Sequence, residues 1–121
     1  MRIEVEFSEL LGKTLKSITV NNDEKIIFEC TDGTTYEMFH EQECCESVEI
    51  YDICGGLNTL IGRPLVMADE VTDSGDSGGE SYTWTFYNLA TIKGYVTIRW
   101  YGTSNGYYSE SVSLVQTEAT K

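Results

Sequence analysis

Apolar and polar side chains alternate at every second position through most of the chain, a period that predicts strands rather than helices. Residues 2–7 alternate apolar and charged positions and predict a short edge strand. Ser8, Glu9, Leu10, Leu11 and Gly12 then read as one capped helical turn, with Leu10 and Leu11 in the core. Residues 14–20 form a strand by their β-branched content, and Asn21-Asn22-Asp23-Glu24 turns the chain back into residues 25–31. Thr31-Asp32-Gly33 suits a hairpin loop whose glycine takes positive φ in a bulge. That loop sets Phe28 opposite Tyr36 and Ile26 opposite Met38 on one apolar face. A shorter Asp-Gly turn would oppose Phe28 with Glu37, so alternation selects the first register.

Residues 34–40 continue this face and deliver His40 to its end. Residues 41–46 show no period and read as a loop or a single helical turn. Residues 47–53 alternate again, with Val48 and Ile50 facing one way and Glu49 and Tyr51 the other. Residues 54–61 are the best helix candidate after the first turn, with Leu57, Leu60 and Ile61 at helical spacing and Gly62 as the stop. Pro64 opens a strand over residues 65–72. Residues 73–80 are polar, acidic and glycine-rich and read as a mobile loop inside the domain.

The last third is the most strongly β: residues 81–88, 95–102 and 107–115, the last two joined through Ser104-Asn105-Gly106. A hairpin there pairs Ile98 with Val112 and Val96 with Leu114, and sets Arg99 opposite Ser111 and Tyr101 opposite Ser109. Its polar face carries Thr97, Arg99, Tyr101, Tyr107, Ser109 and Ser111, beside Thr83, Thr85 and Tyr87. The expected architecture is one domain over residues 1–121. It is mainly β, an antiparallel β-sandwich or curled sheet with one or two short helices, at the border of α+β.

Charge narrows the partners. The chain has 121 residues, and its 20 acidic against 8 basic side chains give a net charge of −12. Phosphate contact depends on Lys and Arg, so direct nucleic-acid binding and an anionic membrane surface are both disfavoured. A host protein with a basic surface is the natural complement. The start of the chain lacks a signal-peptide pattern, and a cytosolic setting is expected, with Cys30, Cys44, Cys45 and Cys54 as thiols. Closing the adjacent pair on itself needs a strained geometry.

Candidate chemistry gathers in two places. The stretch from residue 39 to 56 holds the single histidine and three of the four cysteines, with Glu41, Glu43, Glu46, Glu49 and Asp52 among them. As an enzyme it would use His40 to activate Cys44 or Cys45, with Glu41 or Glu46 orienting the ring. Nearby carboxylates oppose a reactive thiolate. As a metal centre it would use His40, Cys44, Cys45 and Cys54, but structural zinc draws its ligands as close pairs, and neither Cys-x-x-Cys nor His-x-x-x-His is present. The bland reading makes Cys30 and Cys54 small core hydrophobes and the carboxylates a solvated face. No catalytic, metal or cofactor assignment follows.

The second place is the polar strand face. Arg99, Tyr101, Tyr107, Ser109 and Trp84 are the candidate ligand-binding residues, an arginine fork with aromatic flanks suited to an anionic or nucleotide-like ligand. The simpler account is a cross-strand cation partnering one carboxylate. Exposed Tyr95, Tyr101 and Tyr107 would also suit a homodimer or higher oligomer.

The blocks His40-Glu41-Gln42, Cys44-Cys45-Glu46, Asp52-Ile53-Cys54-Gly55, Leu60-Ile61-Gly62, Thr83-Trp84-Thr85-Phe86-Tyr87 and Thr97-Ile98-Arg99-Trp100-Tyr101-Gly102, with Ser104-Asn105-Gly106-Tyr107-Tyr108-Ser109-Glu110, cover most of the chain. In them the chain resembles a family of small acidic proteins carried by tailed bacteriophages and prophages. The resemblance implies a phage origin and the cytoplasm of a bacterial host, and brings no activity or site residues with it. The expected function is a non-enzymatic accessory protein that binds a host component and antagonises bacterial defence. The alternatives are a sponge for a nucleotide-derived signal and a Cys/His-dependent enzyme or zinc-binding protein.

Overall fold

Alternation at this density leaves each strand with one apolar face to bury, and two sheets packed face to face satisfy it. The computed structural model describes residues 2–117. Its strands are β1 (Arg2–Val5), β2 (Leu15–Asn21), β3 (Lys25–Cys30), β4 (Thr35–Phe39), β5 (Ser47–Cys54), β6 (Met67–Ser77), β7 (Glu80–Thr91), β8 (Gly94–Ser104) and β9 (Ser113–Thr117). One sheet runs in the order β1-β9-β4-β3-β2 and the other β5-β8-β7-β6, with every strand pair antiparallel. The chain is therefore mainly β, and its helical content among the described residues is short 3-10 turns at Phe7–Leu10 and Leu57–Leu60. Among the described residues no helix is long and apolar enough to cross a membrane.

Both sheets contribute to one core. Ile26, Phe28, Tyr36, Met38 and Leu114 face Ile50, Tyr87, Leu89, Val96, Ile98 and Trp100. Trp100 is the largest fully buried side chain, and its indole N–H points across the sandwich to Met38 Sδ at 3.2 Å. The first hairpins have the expected register, with Phe28 opposite Tyr36 and Ile26 opposite Met38. Gly33 supplies the positive φ of 92° on which that register depends.

Other expectations are corrected. β8 does not pair with β9: β5 and β7 occupy its two edges, so Ile98 lies opposite Ile53 and Tyr87 rather than Val112. With no free edge on β8, residues 105–112 cross to the other sheet, where β9 inserts between β1 and β4. The stretch 73–80 is a hairpin tip rather than a loop, with unbroken pairing from Met67 opposite Ala90 to Ser77 opposite Glu80. Gly78 and Gly79 both take positive φ there, as a tight turn with the right twist requires.

Residues 54–61 make one 3-10 turn instead of a longer helix. Gly55 has φ of 109° and packs so closely that a Cβ would meet the Tyr95 carbonyl at 2.5 Å, which commits this stretch to an extended approach. Leu60 is buried there as the spacing implied. In the first turn Ser8 lies inside the 3-10 segment and makes no side-chain cap, while Leu10 is buried and Leu11 is exposed. The strand expected directly after Pro64 begins at Met67, because Pro64 instead bridges to Thr14.

Trp100→Ala is expected to cost about 3–5 kcal/mol, because it removes the largest side chain from between the sheets and leaves a cavity. Urea denaturation followed by circular dichroism checks this. A loss below about 1 kcal/mol, the range of an ordinary surface substitution, would place Trp100 outside the shared core.

Candidate functional site

Two chain crossings meet at one end of the sandwich: residues 40–46 lead from β4 to β5, and residues 105–112 lead from β8 to β9. His40 joins them. Its Nδ1 lies 2.6 Å from the Ser111 carbonyl and its Nε2 lies 2.7 Å from Glu46 Oε2. A carbonyl only accepts, so Nδ1 is the donor there. Glu46 also accepts the backbone N–H groups of Glu43 at 2.8 Å and Cys44 at 2.9 Å. Burial pushes the Glu46 carboxyl up, but the His40 bond and these backbone donors outweigh it and hold the group at about 2.

This geometry corrects the expected chemistry. Cys44 and Cys45 are joined in a disulfide rather than present as thiols, within the segment whose Glu43 and Cys44 N–H groups bond the Glu46 carboxylate. His40 has both ring nitrogens engaged by oxygen acceptors and faces no thiolate. Cys54 is exposed instead of buried in the core. Among the described residues no three His, Cys, Asp or Glu side chains cluster to hold a metal ion, and His40, Cys44, Cys45 and Cys54 are not brought together as a ligand set. The cluster is a structural clasp.

Glu110 makes a second clasp that sequence reasoning missed. It lies on the crossing from β8 to β9 and accepts hydroxyl hydrogens from Ser81, Thr83 and Ser104, the Thr83 bond measuring 2.7 Å. Burial raises its carboxyl, and the three hydroxyls more than offset this and lower it overall. A carboxylate three residues after the exposed Tyr107 carries no periodic signal. The hydroxylic positions Ser81, Thr83 and Ser104 on inward-facing strand positions were the available clue.

The remaining candidates lie on the outer face of the β5-β8-β7-β6 sheet, and a β-bulge shapes it. Glu49 pairs with Tyr101 and Ile50 with Trp100, after which the register slips so that Asp52, not Tyr51, faces Arg99. Tyr51 and Asp52 consequently both reach the outer face, and Cys54 follows them out. The spacing of Val48, Ile50 and Ile53 breaks period two at this point, which is the signal for the bulge. Asp52 fills the arginine fork: Arg99 Nε donates to Oδ1 at 2.6 Å and Nη2 donates to Oδ2. That hydrogen bond lowers the Asp52 carboxyl and raises the Arg99 guanidinium. Arg99 also lies over the rings of Tyr51 and Trp84, 5.4 and 5.9 Å from their centroids.

Of the expected ligand-binding residues, Arg99, Tyr101 and Trp84 come together. Tyr107 and Ser109 do not share that strand face: Tyr107 packs edge-on to Tyr108 and Ser109 bonds Ser111 on the crossing. The neighbours expected from β7 were Thr83, Thr85 and Tyr87, but those face inward, and Thr85 and Tyr87 are buried. Tyr82, Trp84 and Phe86 face out in their place. With Tyr51 and Tyr101 they form a continuous aromatic patch: Trp84 lies 4.5 Å from Tyr101, 5.0 Å from Tyr51 and 5.9 Å from Phe86 between centroids. Asp73 opposite Trp84 and Asp69 opposite Asn88 flank it on β6.

The clasp has a pH signature. The Glu46 carboxyl sits at about 2 against an ordinary 4.5, so its contribution to stability is complete above pH 4.5 and is lost as pH falls through about 2. Glu46→Gln should lower the urea midpoint at pH 6 and lose less stability than the parent chain between pH 4.5 and 2. Parallel curves for the two proteins over that range would remove Glu46 from the clasp.

No curated protein and no solved structure matches the chain. A family model described as a domain of unknown function, DUF7448, matches residues 8–114. That match takes in the whole β5-β8-β7-β6 sheet, both clasps and the aromatic face but not β1 or the end of β9, and the chain belongs to the DUF7448 family.

Proposed function

We propose that this is a non-enzymatic binding protein whose outer aromatic face, on the β5-β8-β7-β6 sheet, takes a host protein with a basic surface. The observation that carries the reading is the patch of Tyr51, Tyr82, Trp84, Phe86 and Tyr101 bordered by Asp69 and Asp73. Tyr51 is exposed and the other four rings are half-exposed beside it, a surface that a partner can bury, and aromatic anchors dominate such interfaces. Around the patch the net charge of −12 attracts a cationic surface and repels a second copy of the same face. The sequence resemblance supports the setting, a phage or prophage accessory protein acting in the bacterial cytoplasm, where an antagonised defence protein is the partner class.

The nucleotide-sponge alternative is less well supported because Asp52 occupies the fork that would clamp a phosphate. The enzyme alternative finds no thiolate beside His40.

Parallel capture from bacterial extract tests the reading, using the parent chain and a Trp84→Ala/Tyr101→Ala variant confirmed as folded by circular dichroism. A basic protein that binds the parent, is released by raised salt and is lost from the variant is the expected outcome. An unchanged set of partners on the variant would overturn the assignment of this face. Nucleotide-sized extra mass on the intact parent in native mass spectrometry would favour the sponge instead.

A further inference from the structure

The aromatic patch is not flat. Tyr51 stands at 77° to Trp84, and Tyr101 at 50° to it, while Tyr82 faces Tyr101 at 6.5 Å and 23°. Rings at such angles form walls. Together with Asp73 these four side chains line an open cleft of about 410 Å³. A flat platform for the face of a sugar would need coplanar rings, and only Trp84 and Phe86 are parallel, at 3°.

The backbone makes room for one of the walls. Gly75 lies opposite Tyr82, and a Cβ there would meet the Tyr82 hydroxyl at 2.7 Å, so glycine is what lets this ring lie across β6. Asp73 makes no ion pair or side-chain hydrogen bond with any described residue, which leaves its charge to the cleft. Arg99 marks the chemistry these rings accept, since its guanidinium already lies over Tyr51 and Trp84. Its own charge is spent on Asp52.

We propose that this cleft is a cage for a single organic cation, a guanidinium or ammonium group presented by the partner. The inference rests on the binding reading above and gives its anchor. Tyrosine and tryptophan faces attract a cation through their quadrupoles, and Asp73 supplies the counter-charge at the rim. An arginine or lysine side chain and a quaternary ammonium share this chemistry.

The test is an NMR titration of the full chain with N-acetyl-arginine methylamide and with tetramethylammonium, using N-acetyl-citrulline methylamide as the neutral counterpart. The cations should shift the Trp84 indole N–H and leave buried Trp100 in place, whereas the citrulline compound should do neither. Asp73→Asn should weaken cation binding about two- to fivefold, the size of one exposed charge contact. Gly75→Ala, which displaces Tyr82 without removing charge, should weaken it as well. Preference for the arginine compound points to an unmodified side chain of a protein, and preference for tetramethylammonium to a methylated one; either supports the cage.

Equal binding of the citrulline compound, or no cation-dependent shift at Trp84, overturns it. If the cations fail while Trp84→Ala/Tyr101→Ala still loses its captured protein, the cage is wrong and the binding face stands. If the variant also keeps its partners, both readings fall.

Discussion

The two chain crossings at one end of the sandwich are each held by a carboxylate ringed by donors, Glu46 buried and Glu110 partly buried. Glu46 collects His40 and two backbone N–H groups, and Glu110 collects three hydroxyls. A buried charge left without partners is costly, so these groups work as pins only because the surrounding donors are complete. His40 couples the crossings to each other through the Ser111 carbonyl. Both ring nitrogens of the imidazole thus take part in joining the crossings.

The opposite economy holds on the outer face of the β5-β8-β7-β6 sheet. There the strands leave large aromatic side chains only partly covered, and the two cross-strand partners Arg99 and Asp52 neutralise each other within the face. Two backbone irregularities shape what remains. The bulge in β5 brings Asp52 onto the outer face beside Tyr51, and the missing side chain at Gly75 admits Tyr82. Neither feature improves the core. Both shape a surface in which rings meet at angles and a carboxylate stands at the rim, the arrangement on which the proposed cation cage rests.

Much of this was readable along the chain wherever contacts are local. The hairpin from β3 to β4 was legible to the residue, because the Thr31-Asp32-Gly33 turn and the alternation of Ile26, Phe28, Tyr36 and Met38 specify one register between them. The tip at Gly78-Gly79 was misread as a loop because polar and glycine-rich composition describes an exposed hairpin end as well as it describes a flexible segment. Residues 54–61 showed helical spacing, yet flanking glycines and the close approach of Gly55 to Tyr95 left room for a single turn. Of the candidate site, Trp84, Arg99 and Tyr101 were named from sequence, while Tyr51, Asp73 and Tyr82 were not.

By itself the sequence determined the β class, the local hairpins, the inward and outward faces of β8 and the acidic character of the surface. Those follow from side-chain period, turn residues and charge, each of which acts over a few positions. Tertiary structure alone decided that β8 gives both edges to β5 and β7, that β9 crosses to the other sheet, that Asp52 rather than Ser111 meets Arg99, and that the histidine closes a clasp. Strand pairing across long separations is chosen by which arrangement buries Trp100 and its neighbours while satisfying Glu46 and Glu110. No local pattern encodes that choice, because it is made by the whole core at once.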